Sequence, residues 1–258
     1  EVIGSTKLNE IKRYQKHLSF QNTISAFLNG SDKLLGTFLL TPTLLAYMDV
    51  ILKLPILMNK VIFTSLNGII PTLSPVKENI KEYYIQGLNI FTLICGYLAI
   101  ITYFFSDLMY IFWLQNEYIN LYSDVGKYFS IWILFLPMQF SGIFLISKNI
   151  KLDKVTLFRF LQAIIKILIF IIFVKNFGLY AIPFAYFLSL LPSLILNFSM
   201  KELSIYPNEI LAAFFKSIFF IFIFSSPILL IENNIISITY ITIIFLIHIS
   251  LKIKYMFN

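Results

Sequence analysis

The chain is an almost unbroken succession of apolar runs about twenty residues long. A helix needs about 20 predominantly apolar residues to cross the hydrocarbon core of a bilayer. Such runs fall at roughly 17–40, 43–70, 84–106, 125–147, 157–177, 179–200, 209–231 and 235–251. Hydrophobic residues make up 59% of the chain and charged residues 13%, with a mean hydropathy of +0.83. A soluble domain of this length has too few charges here to cover so much apolar surface. The expected fold is therefore an all-α polytopic membrane protein with about eight transmembrane helices.

The breaks between runs have turn or interface chemistry. "TPT" at 41–43 separates the first two runs, and "PTLSPVKENIKEYY" ends the second with two prolines followed by charge. "FSDLMYIFWLQNEYINLYSD" is aromatic and acidic, as an interfacial belt is. "KNFGL" at 175–179 predicts a glycine turn, and "ENN" at 232–234 separates the last two runs. The first sixteen residues are polar and hold no signal-peptide pattern; the chain begins with Glu1, so a fragment or a processed chain is expected. Segments 1–16, 17–200 and 201–258 divide the chain into a cytoplasmic linker, a six-helix lobe and a terminal helix pair.

The net charge of +7 is spread along the chain in a way that fits membrane topology and not nucleic acid. With the N-terminus inside, the inner segments hold Lys7, Lys12, Arg13, Lys16, Lys77, Lys81, Lys148, Lys151, Lys154, Arg159, Lys201, Lys252 and Lys254. The outer ends hold only Lys127 and Lys175, beside Asp107, Glu117, Asp124 and Glu232. Basic residues gather on the cytoplasmic side of membrane proteins.

Charges inside the runs are the candidates for function, because each costs roughly 2.5–3.5 kcal/mol at mid-bilayer on insertion scales. "LLAYMDVILKLPILMNKV" carries Asp49, Lys53 and Lys60. Asp49 and Lys53 are four apart, so a helix puts them on one face where they can pair. Lys60 follows on nearly the same face, within snorkelling reach of the surface. Pro55 removes a helical hydrogen bond beside them. This face lines either a hydrated cavity or a packing salt bridge. Asp32 is too short to snorkel, and its neighbour Lys33 points elsewhere on a helix, so Asp32 needs water, a proton or a partner on another span. Lys166 either reaches Asp32 or Asp49 or snorkels, and Lys216 is expected to snorkel. Pro137, Pro183, Pro192 and Pro227 interrupt later runs.

Other chemistries find no residues. No glycine-rich phosphate loop is present, so no nucleotide motor is built in. His17, His248 and the lone Cys95 lie far apart, which argues against a metal centre or a cysteine–histidine nucleophile. No catalytic residue, metal or cofactor is assigned, and an enzyme is not expected.

The run "NGSDKLLGTFLLTPTLLAYMDVILKLPIL" followed by "GIIPTLSP" resembles the start of a lobe in the Wzx-type lipid-linked oligosaccharide flippases. These belong to the MATE-like multidrug/oligosaccharidyl-lipid/polysaccharide exporter superfamily. Asp32, Lys33 and Gly36 match an Asp-basic-x-x-Gly segment. Ala46, Tyr47, Lys53, Leu54 and Pro55 match a helix with a Lys-Leu-Pro step, and Pro71 matches a proline-containing exit. "KNFGLYAIPFAYFLSLLPS" looks like the family's later glycine turn and helix. The resemblance runs from about residue 17 onward and implies the second lobe of such a transporter plus an extra helix pair, with a first lobe as missing partner. It implies alternating access that moves an undecaprenyl-type lipid-linked oligosaccharide across a bacterial inner membrane. Lys53, Lys166, Asp49 and Lys60 become candidates for the substrate cavity, and Asp32 and Asp49 for coupling to H+ or Na+. A lipid-linked peptidoglycan-precursor flippase, a multidrug antiporter of the same superfamily and an inactive truncated half are the alternatives.

Overall fold

A computed structural model describes residues 5–69, 80–114, 119–148, 150–230 and 234–257, and every regular element among them is helical. In chain order these are α1 (Ser5–Leu39), α2 (Pro42–Ile69), α3 (Ile80–Leu114), α4 (Ile119–Phe135), α5 (Phe140–Ser147), α6 (Leu152–Phe177), α7 (Ala181–Leu188), α8 (Leu191–Asn197), α9 (Pro207–Ser225) and α10 (Asn234–Phe257). Helix α1 already begins at Ser5, inside the segment read as a linker. The expected connection at 71–79, with Pro71 and Lys77, and residues 232–233 of "ENN" lie outside the described residues.

Proline chemistry accounts for most of the interruptions. Pro137 sits in a 3₁₀ turn, Leu136–Gln139, that joins α4 to α5 in one rod. Pro192 stands at the start of α8, just past the break at 189–190, and Pro227 lies in the 3₁₀ segment Ser226–Leu230. Pro207 opens α9, where a missing N–H is no loss. The backbone N–H of Tyr206 donates to Glu209 at 3.2 Å and closes that helix start. Pro183 lies in the first turn of α7 without interrupting it, and Pro55 lies well inside α2.

Pairs between rods give their directions. Phe173 meets Phe184, Lys166 meets Tyr186, and Gln162 meets Ser193, so α6 and α7–α8 form an antiparallel hairpin. Gly178 turns it with φ +54° and ψ −129°, a combination open to glycine and strained for any side chain. His17 beside Asp153 and Asp32 beside Lys166 set α1 parallel to α6. Lys81–Glu209 and Asn89–Ser217 set α3 parallel to α9. Tyr97 packs on Phe245 and shares a hydrogen bond with His248 at 2.7 Å, which fastens α10 to α3. Helix α3 is thus the central post. One face joins the main core through Tyr84, Phe91 and Tyr110, and another joins a smaller core around Tyr97, Ile221 and Ile241.

Four stretches among the described residues are long and apolar enough to cross a membrane: Ile80–Ile111, Asp124–Ser147, Leu152–Leu203 and Pro207–Ile228. The third includes both arms of the α6/α7–α8 hairpin. The apolar part of α10, Ile236–Leu251, is shorter. These stretches expose wide apolar faces, including Leu157, Leu168 and Ile172 on α6 and Phe215, Phe219 and Phe222 on α9. Such a surface suits lipid and not water. Length and composition thus support a helical membrane protein, with four qualifying stretches where eight crossings were expected.

Candidate functional site

The hairpin and α1 bring three polar side chains together in the apolar bundle. Lys166 of α6 donates to the Asp32 carboxylate of α1 at 2.7 Å. The Tyr186 hydroxyl of α7 donates to the same oxygen, Oδ2, at 2.8 Å. The Lys166 ammonium also sits 3.9 Å from the centroid of the Tyr186 ring, a cation–π contact. The Lys166 and Asp32 side chains are only 7% and 5% exposed. The ring of Tyr186 is held edge-on by Phe129 and Trp132 of α4.

The depth of this cluster explains why it must be complete. At 1.5 Å per residue, Lys166 lies about 21 Å along α6 from Leu152 and about 16 Å from Phe177. Neither end is within reach of a snorkelling ammonium. A buried charge left without a partner is far costlier than a pair. Of the alternatives for Lys166, the fold selects pairing with Asp32.

Polar groups continue along α6 toward the end that carries Lys151 and Lys201. Gln162, one turn from Lys166, hydrogen-bonds Ser193 of α8. Near the start of α6, His17 lies 3.0 Å from Asp153 and 3.3 Å from the Thr156 hydroxyl. Lys151, in left-handed conformation, donates to the carbonyl of Ser199 at 2.8 Å and pairs with Glu202 at 2.6 Å. A second buried polar group joins α3, α5 and α8, where Ser141 bonds both Tyr84 and Asn197.

Asp49 and Lys53 do not pair. The Lys33 ammonium of α1 instead approaches Asp49 of α2 to 3.0 Å, close in distance but not aligned as a hydrogen bond. The reason is the tight crossing at Gly36, where a Cβ would fall 2.7–2.8 Å from Met48 and Leu45. That close approach brings Lys33 across to α2, and an interhelical partner replaces the one four residues along. Lys33 and Asp49 are 63% and 42% exposed.

Lys53 and Lys60 are exposed on α2, beside Ile56, Leu57 and Val61. Leu52, Leu54 and Met58 form the opposite face, in the core. The candidate cavity residues therefore separate into two places. Lys166 and Asp32 are buried together, while Asp49, Lys53 and Lys60 lie on the open side of α2. Tyr186 was not singled out in the sequence. Its signal was the hairpin: a tyrosine soon after the Gly178 turn returns toward the depth of Lys166.

Among the described residues, no group of three or more His, Cys, Asp or Glu could hold a metal ion. Both histidines are engaged in helix–helix contacts, and Cys95 is buried. No protein-family model, curated protein or solved structure matches this chain.

Proposed function

We propose that this chain is a lobe of a multi-pass membrane transporter that moves a lipid-linked oligosaccharide between leaflets. The observation that carries the reading is the asymmetry of α2. One face is packed in the core through Leu52, Leu54 and Met58, and the other presents Lys53 and Lys60 within an apolar helix. Ammonium groups at membrane depth require water, a polar partner or an anion. A diphosphate-linked sugar supplies the anion, while its lipid tail stays in the bilayer. Eight crossings with the basic ends in the cytoplasm of a bacterial inner membrane complete the reading.

In this scheme Lys53 and Lys60 meet the anionic head group, with Asp49 and Lys33 at the same open side. Asp32, Lys166 and Tyr186 form the buried polar centre. A sodium ion binding Asp32 while Lys166 gives up its proton to water would keep the buried charge balanced and loosen α1 from α6. That gives a gradient-driven step without a nucleotide site. The expected mechanism is alternating access, with a partner lobe opposite α1 and α2.

The test is surface-polysaccharide display in a bacterium lacking its own flippase. The full-length protein should restore display, and Lys53→Ala should abolish it at unchanged protein level. Normal display by a well-expressed Lys53→Ala, Lys60→Ala double variant would remove α2 from the substrate path. Absence of display with the unaltered protein across lipid-linked sugars of several kinds would favour an inactive half.

A further inference from the structure

A cavity of about 570 Å³ opens between α4, α6 and α7, at the end of the bundle that holds the Gly178 turn. Its walls are Tyr128 and Ile131 of α4, Phe173 and Phe177 of α6, and Tyr180 and Phe184 from the return arm. Ala181 and Pro183, both buried, form the floor. The walls are braced by edge-on rings: Phe173 against Phe184 at 5.2 Å, and Tyr128 against Tyr180 at 5.6 Å. Among the described residues, no charged side chain lines the cavity.

Size and chemistry select its occupant. One turn of α-helix, about 10–12 Å across with a 5.4 Å pitch, fills roughly 400–600 Å³. A 20-residue crossing helix is about 30 Å long, so most of its length would lie outside a cavity of about 570 Å³. Ordered water needs several polar partners, and this lining offers little beyond two tyrosine hydroxyls. Pockets of a few hundred Å³ with aromatic and aliphatic walls suit one apolar ligand. Tyr128, Phe177 and Phe184 are half-exposed at the opening and merge with the apolar surface of α6. Such an opening suits a hydrocarbon chain.

Charge at the rim defines the rest of the ligand. Lys127, adjacent to Tyr128 and one turn from Ile131, lies 3.4 Å from Asp124 and 3.8 Å from Asp107. All three charges are partly exposed. A cation flanked by two anions complements a head group that carries a phosphate and an ammonium side by side. It repels one that carries only negative charge. Tyrosines with apolar bodies and polar tips belong at this boundary.

We propose that the cavity holds one acyl chain of a zwitterionic phospholipid, with the phosphate on Lys127 and the ammonium on Asp124 and Asp107. This site is separate from the α2 face and does not depend on what the protein transports.

The experiment reconstitutes the full chain in vesicles of phosphatidylethanolamine or phosphatidylglycerol, each doped with the same lipid bearing a photoactivatable acyl chain. Adducts are mapped by peptide mass spectrometry. In phosphatidylethanolamine, adducts should gather on peptides holding Ile131, Phe173 or Phe184, about tenfold above those holding Phe219 and Phe222 of α9. Ile131→Trp, at a half-exposed wall position that tolerates a larger ring, should remove that excess. Replacing the lipid with phosphatidylglycerol should reduce it, and Asp124→Asn with Asp107→Asn should abolish the difference between the two lipids. Even labelling over all lipid-facing helices in the unaltered chain would overturn the site, whatever the variants do. An excess that is equal in both lipids would overturn the head-group assignment.

Discussion

The hydroxyl of Tyr110 on α3 donates to the backbone carbonyl of Ile51 on α2, at 3.3 Å. Ile51 is four residues before Pro55, so its carbonyl is the one the proline leaves without a helical donor. A buried tyrosine from the neighbouring helix takes the place of the missing N–H. Gly126 of α4 makes room for it, because a Cβ there would fall 2.7 Å from the Tyr110 ring.

Tyr110→Phe should therefore destabilise the protein by about 1–3 kcal/mol, the usual cost of leaving a buried acceptor unsatisfied. Pro55→Ala restores the N–H that Ile51 lacks, so the same Tyr110→Phe change should cost much less in that background. Unfolding in detergent, followed by circular dichroism for the four members of the cycle, measures the coupling. Additive effects would show that Tyr110 does not serve the Ile51 carbonyl.

Lys166→Met leaves Asp32 buried without its cation and should cost about 3–5 kcal/mol. Adding Asp32→Leu removes the second charge, and the double variant should recover most of that stability. Melting temperatures in one detergent give the comparison. If Asp32 also couples transport to an ion, the double variant should be stable and inactive. Retained activity would reduce the pair to a packing role.

In a Cys95→Ala background, single cysteines at Lys53 and Lys60 should react with a small water-soluble thiol reagent. Cysteines at Leu52 and Leu54, in the core, should not. Equal protection at all four positions would mean that this face of α2 meets lipid or a sealed partner instead of a hydrated path.

Lys154, exposed beside Glu202, marks the basic end of the bundle. A cysteine there should resist a membrane-impermeant thiol reagent in intact cells and react after permeabilisation, because basic loops stay in the cytoplasm. Ready labelling in intact cells would reverse the proposed orientation.

Gly178 holds φ +54° in open space, with nothing within 4 Å of where a Cβ would lie. Gly178→Ala should therefore cost about 1–3 kcal/mol from backbone strain alone. Gly126→Ala, where φ is ordinary, should act through the clash with Tyr110, so Tyr110→Leu should relieve it. Melting curves for these variants separate the two causes. Equal relief of both glycine changes by Tyr110→Leu would contradict them.

Run length, hydropathy and turn residues marked the helical rods, because prolines and Gly178 act locally, but α1 begins at Ser5 inside the expected linker and four stretches among the described residues qualify as membrane crossings. The conflict at Asp32 was also legible in the sequence: an aspartate too short to snorkel, in an apolar run, needs something to satisfy it. What satisfies it was not legible. Lys166 is more than a hundred residues away in the chain, and only the parallel packing of α1 on α6 sets the two at one depth. Tyr186 joins them because the Gly178 hairpin returns α7 alongside. Helical spacing favoured Asp49 with Lys53, yet the close crossing at Gly36 offered Lys33, and interhelical distance is a property no single helix contains. The Tyr110–Ile51 contact has the same origin. Pro55 announces a missing hydrogen bond, but which neighbour supplies the replacement depends on how the helices pack.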